Sequence, residues 1–441
     1  MDELEVVRFL VAERGRALLD AARASRGQDA LTRPRALAKG YAAEEVRAAL
    51  AQDDLRVRAA RKTPLAERLL FVRAALEQAT PAAVAAERAG RFAAFGRVAD
   101  LCAGIGLDTI ALAAAGPRVV AVERDPVRAM LLRHNVAAAG FAERVDVVEG
   151  DAVVSPPEAD AAFLDPDRRP GGRRERDPAR FEPPADAWDA LAARYGHLMV
   201  KLPPATRPSD RPGAGLAPRP ASFAAGLDAV PGRQPSPEAF GAWDGRQAPA
   251  RNFRDAGIEW VSLDGEMREA RWGTGRLALA MPRRALLLPS GVALEGRGVA
   301  WPAPRAPRPG DVLLDPDPAV VVADLVGEAA RQVGAAPVHP RIAYLLADTP
   351  VPWARCVRLE AVVPARIAEI QAALDARDVG TLDVRTRGVA DPPERWRSRL
   401  RLRGGARATL VVSRGPDDRY FAGVGCVVGS GATGGGAECI P

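Results

Sequence analysis

The stretch from Arg97 to Asp125, RVADLCAGIGLDTIALAAAGPRVVAVERD, constrains this chain more than any other. A short apolar run (Val98 to Leu101) feeds a loop carrying Gly104 and Gly106. A helix-period segment (Thr109 to Ala115) follows, and a second strand-like run (Val119 to Val122) ends on Glu123. Patterning in that order predicts a β-α-β unit whose bend lets backbone approach a ligand. A dinucleotide site of this plan carries G-x-G-x-x-G, the third glycine allowing helix and strand to pack closely. That place holds Asp108 and Thr109 here. There is instead an acid, Asp100, four residues before Gly104, and a second, Glu123, nineteen residues after it. On these residues alone, an ordinary glycine-containing turn between strand and helix stays open.

A chain of 441 residues is long for one domain, so two or three are expected. No run of 18 apolar residues occurs and the first residues, MDELEVVRF, are acidic, so neither a membrane span nor a signal peptide is expected. The four cysteines (Cys102, Cys356, Cys426, Cys439) lack C-x-x-C spacing and there are three histidines. The expectation is no metal site, no disulfide framework and a reducing cytoplasm. A net charge of +6 points towards an anionic partner. That signal is weak, because Lys39, Lys62 and Lys201 are the only lysines among 62 basic residues, and the arginines are spread over the whole chain.

Residues 1–95 read as an N-terminal helical domain: Val6, Val7, Leu10, Leu18 and Leu19, then Val46, Leu50 and Leu55, recur near helical spacing. Thr63 before Pro64 and Thr80 before Pro81 read as helix N-caps. From Arg97 the expected order is strand, helix, strand, then a helix over Pro126 to Ala139, strands at Val145 to Glu149 and Ala161 to Leu164, a helix near Asp186 to Arg194 and a strand at His197 to Lys201. Alternation of this kind implies a doubly wound parallel sheet with its ligand at the carboxyl ends of the strands. Residues 203–250 hold ten prolines and read as a mobile insertion. Asp264-Gly265 signals a hairpin, with Leu277 to Met281 as an antiparallel edge. After about 284 a small α+β domain is expected, with a helix from Val320 to Val333 capped by Asp317. A Gly-rich, frayed tail follows over 423–441.

The polar residues of interest all stand at strand ends: Asp100, Glu123, Asp151, Asp165 and Lys201. Asp151 could equally cap a helix. Asp165-Pro166-Asp167-Arg168 ends an apolar strand, and six arginines with two acids occupy 168–180, which suits a phosphate backbone or a solvated loop. The tripeptide alone is unspecific, since Asp315-Pro316-Asp317 repeats it. Lys201 offers either an ammonium that can lose a proton or a stem that packs. No cysteine stands near the fourth or fifth strand end, so no thiolate nucleophile is expected there. Cys102 in the loop reads as a small packing residue.

These motifs resemble class I S-adenosylmethionine-dependent methyltransferases, and more closely the bacterial members with a C-terminal THUMP-like domain. ADLCAGIGLDTIALAAAG, AVERDP, RHNVAAAG, FLDPDRR and VKLPP carry the likeness, as do EWVSLDGEMREA, LLDPDPAVVVADLV, RIAYLL, DVRTRGV and LVVSRG. It spans roughly 95 to 415, apart from the Pro-rich insertion. The resemblance implies a Rossmann-like, seven-stranded methyltransferase core at 96–283, an N-terminal helical domain and a C-terminal THUMP-like domain at 284–422. It implies S-adenosyl-L-methionine as cofactor, held by Asp100, Cys102, Gly104, Gly106, Glu123, Arg124, Asp151 and Ala152. Glu123 would take the ribose hydroxyls, Asp151 the adenine amine and Asp100 the ammonium. Asp165, Pro166, Arg168 and Lys201 would form the transfer site, Asp165 orienting a target amine. Amino-group methyltransferases carry a second proline and an aromatic where this chain has Asp167 and Arg168. A guanidinium there can lie over a base or hold a phosphate.

The expected function is methylation of a nitrogen in structured RNA, tRNA or rRNA, with no membrane and no metal. Methylation of a small molecule or protein, and a non-catalytic RNA-binding role, are the alternatives.

Overall fold

A computed structural model of the chain describes residues 1–29, 32–168, 175, 177–207 and 257–429. They fall into two compact units. The first comprises Met1–Pro203 with Arg271–Ala278; the second comprises 204–207, Gly257–Ala270 and 279–429.

The first unit opens with helices α1 (Glu3–Val11), α2 (Glu13–Ala24), α3 (Thr32–Leu37), α4 (Ala43–Ala59), α5 (Arg73–Gln78) and α6 (Ala82–Gly90). Asp2 starts α1 with a capping box: its carboxylate accepts from Glu5 N at 2.8 Å, and Glu5 reaches back to Asp2 N. Neither threonine caps a helix. Thr63 accepts from Leu65 N within a turn, while α6 starts at Ala82 behind Pro81 and the Thr80 hydroxyl is buried without a hydrogen bond.

Next come β1 (Arg97–Asp100), α7 (Leu107–Ala114), β2 (Arg118–Glu123), α8 (Pro126–Ala139), β3 (Val145–Glu149), β4 (Ala161–Leu164), α9 (Ala185–Tyr195) and β5 (Leu198–Leu202). The five strands are parallel and stand in the order β3-β2-β1-β4-β5. Every residue of β4 and β5 is buried, as strands covered on both faces require. The order reverses between β1 and β4, which opens a crevice at the carboxyl ends of those strands. Val7, Leu10, Leu18, Leu69 and Phe92 belong to one hydrophobic cluster with Val98, Ile105, Leu131 and Phe163. Each such side chain stabilises the fold by about 1.5–3 kcal/mol on burial, so helices and sheet share a single core.

The second unit holds β6 (Ile258–Leu263), most of β7 (Glu266–Gly273), β8 (Arg283–Leu288) and β9 (Val292–Gly296). Asp264 and Gly265 both have positive φ, +54° and +75°, and close the expected β6–β7 hairpin. The edge expected at Leu277 to Met281 is not a strand. Gly275–Leu277 forms a 3-10 turn, and the strand that follows is β8, parallel to β6.

A second sheet runs β11-β12-β10-β13-β16-β15-β14, built from β10 (Val312–Pro316), β11 (Ala336–His339), β12 (Ile342–Ala347), β13 (Ala354–Pro364), β14 (Val379–Arg387), β15 (Ala406–Arg414) and β16 (Tyr420–Val428). Helices α10 (Pro318–Val322), α11 (Val326–Gln332), α12 (Ile367–Asp375) and α13 (Pro393–Arg397) accompany it. The single helix expected over Val320 to Val333 is thus two, broken at Asp324, whose φ is +56°.

Residues Gly423–Val428 are not a frayed tail but part of β16, paired with β13 and β15. A Cβ at Gly425 would stand 1.8 Å from the Arg358 carbonyl oxygen, and one at Gly423 2.8 Å from Leu359. The glycines serve close packing rather than flexibility. Cys426 is disulfide-bonded, whereas Cys102 and Cys356 are free thiols. Most of the expected insertion, 208–250, lies outside the described residues, as does the tail beyond 429. Among the described residues, no helix is long and apolar enough to cross a membrane.

Candidate functional site

Two acids end successive strands of the first unit. Asp100, last residue of β1, is fully buried. It accepts from the Thr109 hydroxyl at 2.6 Å, while its other oxygen has no partner. Loss of solvent pushes its pKa up to about 7, with the Asp108 and Asp165 charges acting in the same direction. Glu123 ends β2 and is 7% exposed. One of its oxygens accepts from Gly104 N at 2.8 Å and the other from Asp125 N at 2.9 Å. Burial raises its pKa as well, outweighing those two donors.

The loop between β1 and α7 needs both glycines. Gly104 (φ +57°) and Gly106 (φ +93°) are left-handed. A Cβ on Gly104 would meet nothing within 4 Å, so this residue faces open space. One on Gly106 would lie 2.6 Å from Leu132, so the loop sits directly on α8. Cys102, in the same loop, has its thiol pushed well up, first by burial and then by Glu123, Asp100 and Asp165. A thiol kept protonated in this way is disfavoured as a nucleophile.

Asp165 follows β4 and accepts from Lys201 Nζ, in β5, at 2.6 Å. The lysine is buried, but the Asp165 side chain is 26% exposed and so reachable from solvent. Pro166 follows. Asp167 then exchanges backbone hydrogen bonds with Glu182 at 2.8 and 2.9 Å. Arg124, next to Glu123, forms a bidentate pair with the Glu182 carboxylate, which anchors this return segment. Arg168 Nη1 is buried without a hydrogen bond. Of the Arg-rich loop, 169–174 and 176 lie outside the described residues. Asp151 is exposed and caps no helix; it closes a turn by accepting from Val153 N at 2.8 Å and Val154 N at 3.2 Å, next to the buried Ala152.

The parallel sheet thus brings Asp100, Cys102, Glu123, Asp165 and Lys201 to one edge, with Arg124 and Asp151 at its flank. Sequence reasoning missed a second cation there. Arg88 of α6 is 2% exposed, pairs with Asp108 and lies over the Phe163 ring at 4.5 Å. Nothing local in a helix reading AAVAAERAG marks that arginine for burial. A separate depression of about 530 Å³, lined by Arg97, Glu158, Asp160, Arg194 and Tyr195, lies where β1 begins, away from these acids. No cluster suited to a metal occurs among the described residues.

A family model described as THUMP domain-like matches residues 354–422. An uncharacterized S-adenosylmethionine-dependent methyltransferase of Mycobacterium tuberculosis, found in strains H37Rv and CDC 1551, is 33% identical over 356 residues, 78% of this chain and 84% of the relative. The crystal structure of a candidate methyltransferase from Porphyromonas gingivalis W83 matches with a TM-score of 0.68 at 19% identity, over 93% of this chain and 98% of that one. That likeness speaks for the fold.

Proposed function

The chain belongs to the S-adenosylmethionine-dependent methyltransferases, and from that premise we propose that it methylates a nitrogen of structured RNA, tRNA or rRNA, in the cytoplasm. S-adenosyl-L-methionine is its cofactor, and the strand-end residues suit that molecule. Asp100 has a buried oxygen without a partner, fit for an ammonium; Glu123 offers lone pairs to a ribose diol. Gly104 leaves open space beside them. We assign Asp100, Cys102, Gly104, Gly106, Glu123, Arg124, Asp151 and Ala152 to cofactor binding. When bound, the cofactor supplies an electrophilic sulfonium methyl.

The observation that carries the acceptor assignment is the Asp165–Lys201 pair. Lys201 engages one carboxylate oxygen, offsets its charge and fixes its orientation. The other oxygen then accepts from the target amine and aims its lone pair. Pro166 holds the turn, and Arg168 offers a guanidinium to a base or a phosphate. Neither Cys102, with its raised pKa, nor the buried Cys356 suits the thiolate route to carbon methylation, which leaves nitrogen or oxygen as acceptor, and of these we propose nitrogen.

The THUMP-like match supports RNA as substrate. We read three functional modules: 1–95 as a helical wall, 96–283 as the methyltransferase core and 284–422, with the remainder of β16, as the substrate-presenting part. One observation favours a small-molecule or protein substrate instead. In the second unit Arg355, Arg377, Arg385, Arg387 and Arg395 are all paired with acids, which leaves less positive charge for phosphates.

Mass spectrometry of nucleosides from cells with and without the gene tests the proposal. One methylated nucleoside should disappear with the gene and return with the wild-type chain. An unchanged nucleoside profile, together with tritium transfer into a protein or metabolite extract, would establish the second reading.

A further inference from the structure

Leu69, Leu70 and Phe71 are at most 1% exposed, yet they belong to no strand or helix. Buried peptide groups need partners, and three side chains supply them. Gln52 of α4 accepts from Phe71 N at 2.8 Å and donates to Phe71 O at 2.9 Å. Arg56 of the same helix donates to Leu69 O at 3.0 Å. From the other side comes Asn135 of α8, itself fully buried. Its Oδ1 accepts from Leu70 N at 2.8 Å, and its Nδ2 donates both to Leu70 O at 2.9 Å and to Ile105 O at 2.8 Å. Ile105 stands between the two glycines of the loop. The partners fix the amide's orientation, since exchanging its O and N would set a donor against an N–H and an acceptor against two carbonyls.

We infer that Asn135 is a positioning residue for cofactor binding: it ties the Gly104–Gly106 loop to Leu69–Phe71, so that the cofactor and the N-terminal helices stabilise each other's placement. This rests on the reading that the loop holds the cofactor. Leu132, which blocks any side chain at Gly106, lies one helical turn before Asn135, so the same face of α8 supports the loop twice. Coupling of this kind is reciprocal and typically amounts to about 5–150-fold in affinity.

The test uses the full chain with S-adenosylhomocysteine as probe. In the wild type, bound S-adenosylhomocysteine should slow hydrogen exchange at the Leu70 and Phe71 amides. Asn135→Asp keeps the acceptor and loses both donors; calorimetry should show its Kd raised about tenfold. Gln52→Met removes hydrogen bonds to Phe71 and none to the loop or α8, and should still raise Kd about fivefold. A merely structural Asn135 would lower the melting temperature and leave both the Kd and the ligand-dependent protection unchanged. The inference is overturned if Gln52→Met binds as wild type while its Leu70 and Phe71 amides exchange faster. Unchanged exchange at those amides on binding to the wild type overturns it equally. If the wild type binds no S-adenosylhomocysteine, the cofactor reading falls too, which separates the two failures.

Discussion

The tripeptide Asp-Pro-Asp occurs twice, once in each compact unit, and the two copies do different things. Asp165 follows a parallel strand whose neighbours end on the same edge, so its nearest partner is Lys201, itself near a strand end. Asp315 lies near the end of β10, whose neighbours β12 and β13 run antiparallel to it, so β13 presents residues from its start there. Its register partner on β13 is Arg355, and Arg387 and Arg385 of β14 reach it at 2.9 and 3.6 Å. Arg387 also lies over the Tyr344 ring at 4.9 Å. Burial raises the Asp315 pKa against the pull of the arginines. Asp317 caps α10, accepting from Ala319 N at 2.8 Å. Direction of neighbouring strands, rather than the tripeptide, decides whether an acid meets a crevice or is locked into a wall.

Removing each acid in turn probes that difference. Asp165→Ala should lower kcat for methyl transfer about 10³-fold, within the range for lost positioning and acid–base groups, while calorimetry finds S-adenosylhomocysteine affinity within about threefold of wild type. Loss of cofactor binding would show that our division of roles is wrong. Asp100, whose pKa burial raises against the pull of Arg88, provides the next contrast. Its folded pKa of about 7 lies above the ordinary value near 4, so the native state holds an extra proton across that window. Stability of the unliganded chain should fall as pH rises from about 4 to about 7 and level off above, by at most about 4 kcal/mol. Asp100→Asn should flatten that slope in denaturant titrations; a persisting slope clears Asp100. Asp315→Ala strands two arginines and should cost about 2 kcal/mol, less than a fully buried pair because the arginines are partly exposed. Cofactor affinity should not change. Asp317→Ala should cost only about 1 kcal/mol, seen in the melting temperature, since it removes one helix cap.

Much of the first unit is legible in the sequence because its signals are local. The strand from Val98, the two left-handed glycines and Glu123 sit within one β-α-β unit, and parallel topology then places every later strand end on the same edge. The site's pairings are less legible. Lys201 and Asp165 are each visible as strand-end residues, yet their contact spans 36 positions. Asn135 looks like any polar residue in RHNVAAAG, and its three bonds depend on the fold having closed around it. Gly423 and Gly425 mislead for a related reason. In sequence they suggest freedom, but in β16 they mark the places where β13 comes too near for a side chain. Thr63 and Thr80 show the converse, a local capping rule overruled by where the chain had to be buried.

The stitching of Leu70 also bears on how the chain is made. Its amide partner arrives 65 residues later, so during synthesis at about 5–20 residues per second the early helices wait roughly 3–13 s for the side chain that completes them. Over that interval the apolar surfaces of Leu69, Leu70 and Phe71 are open to other nascent chains. The beginning of this protein is accordingly translated first and finished late.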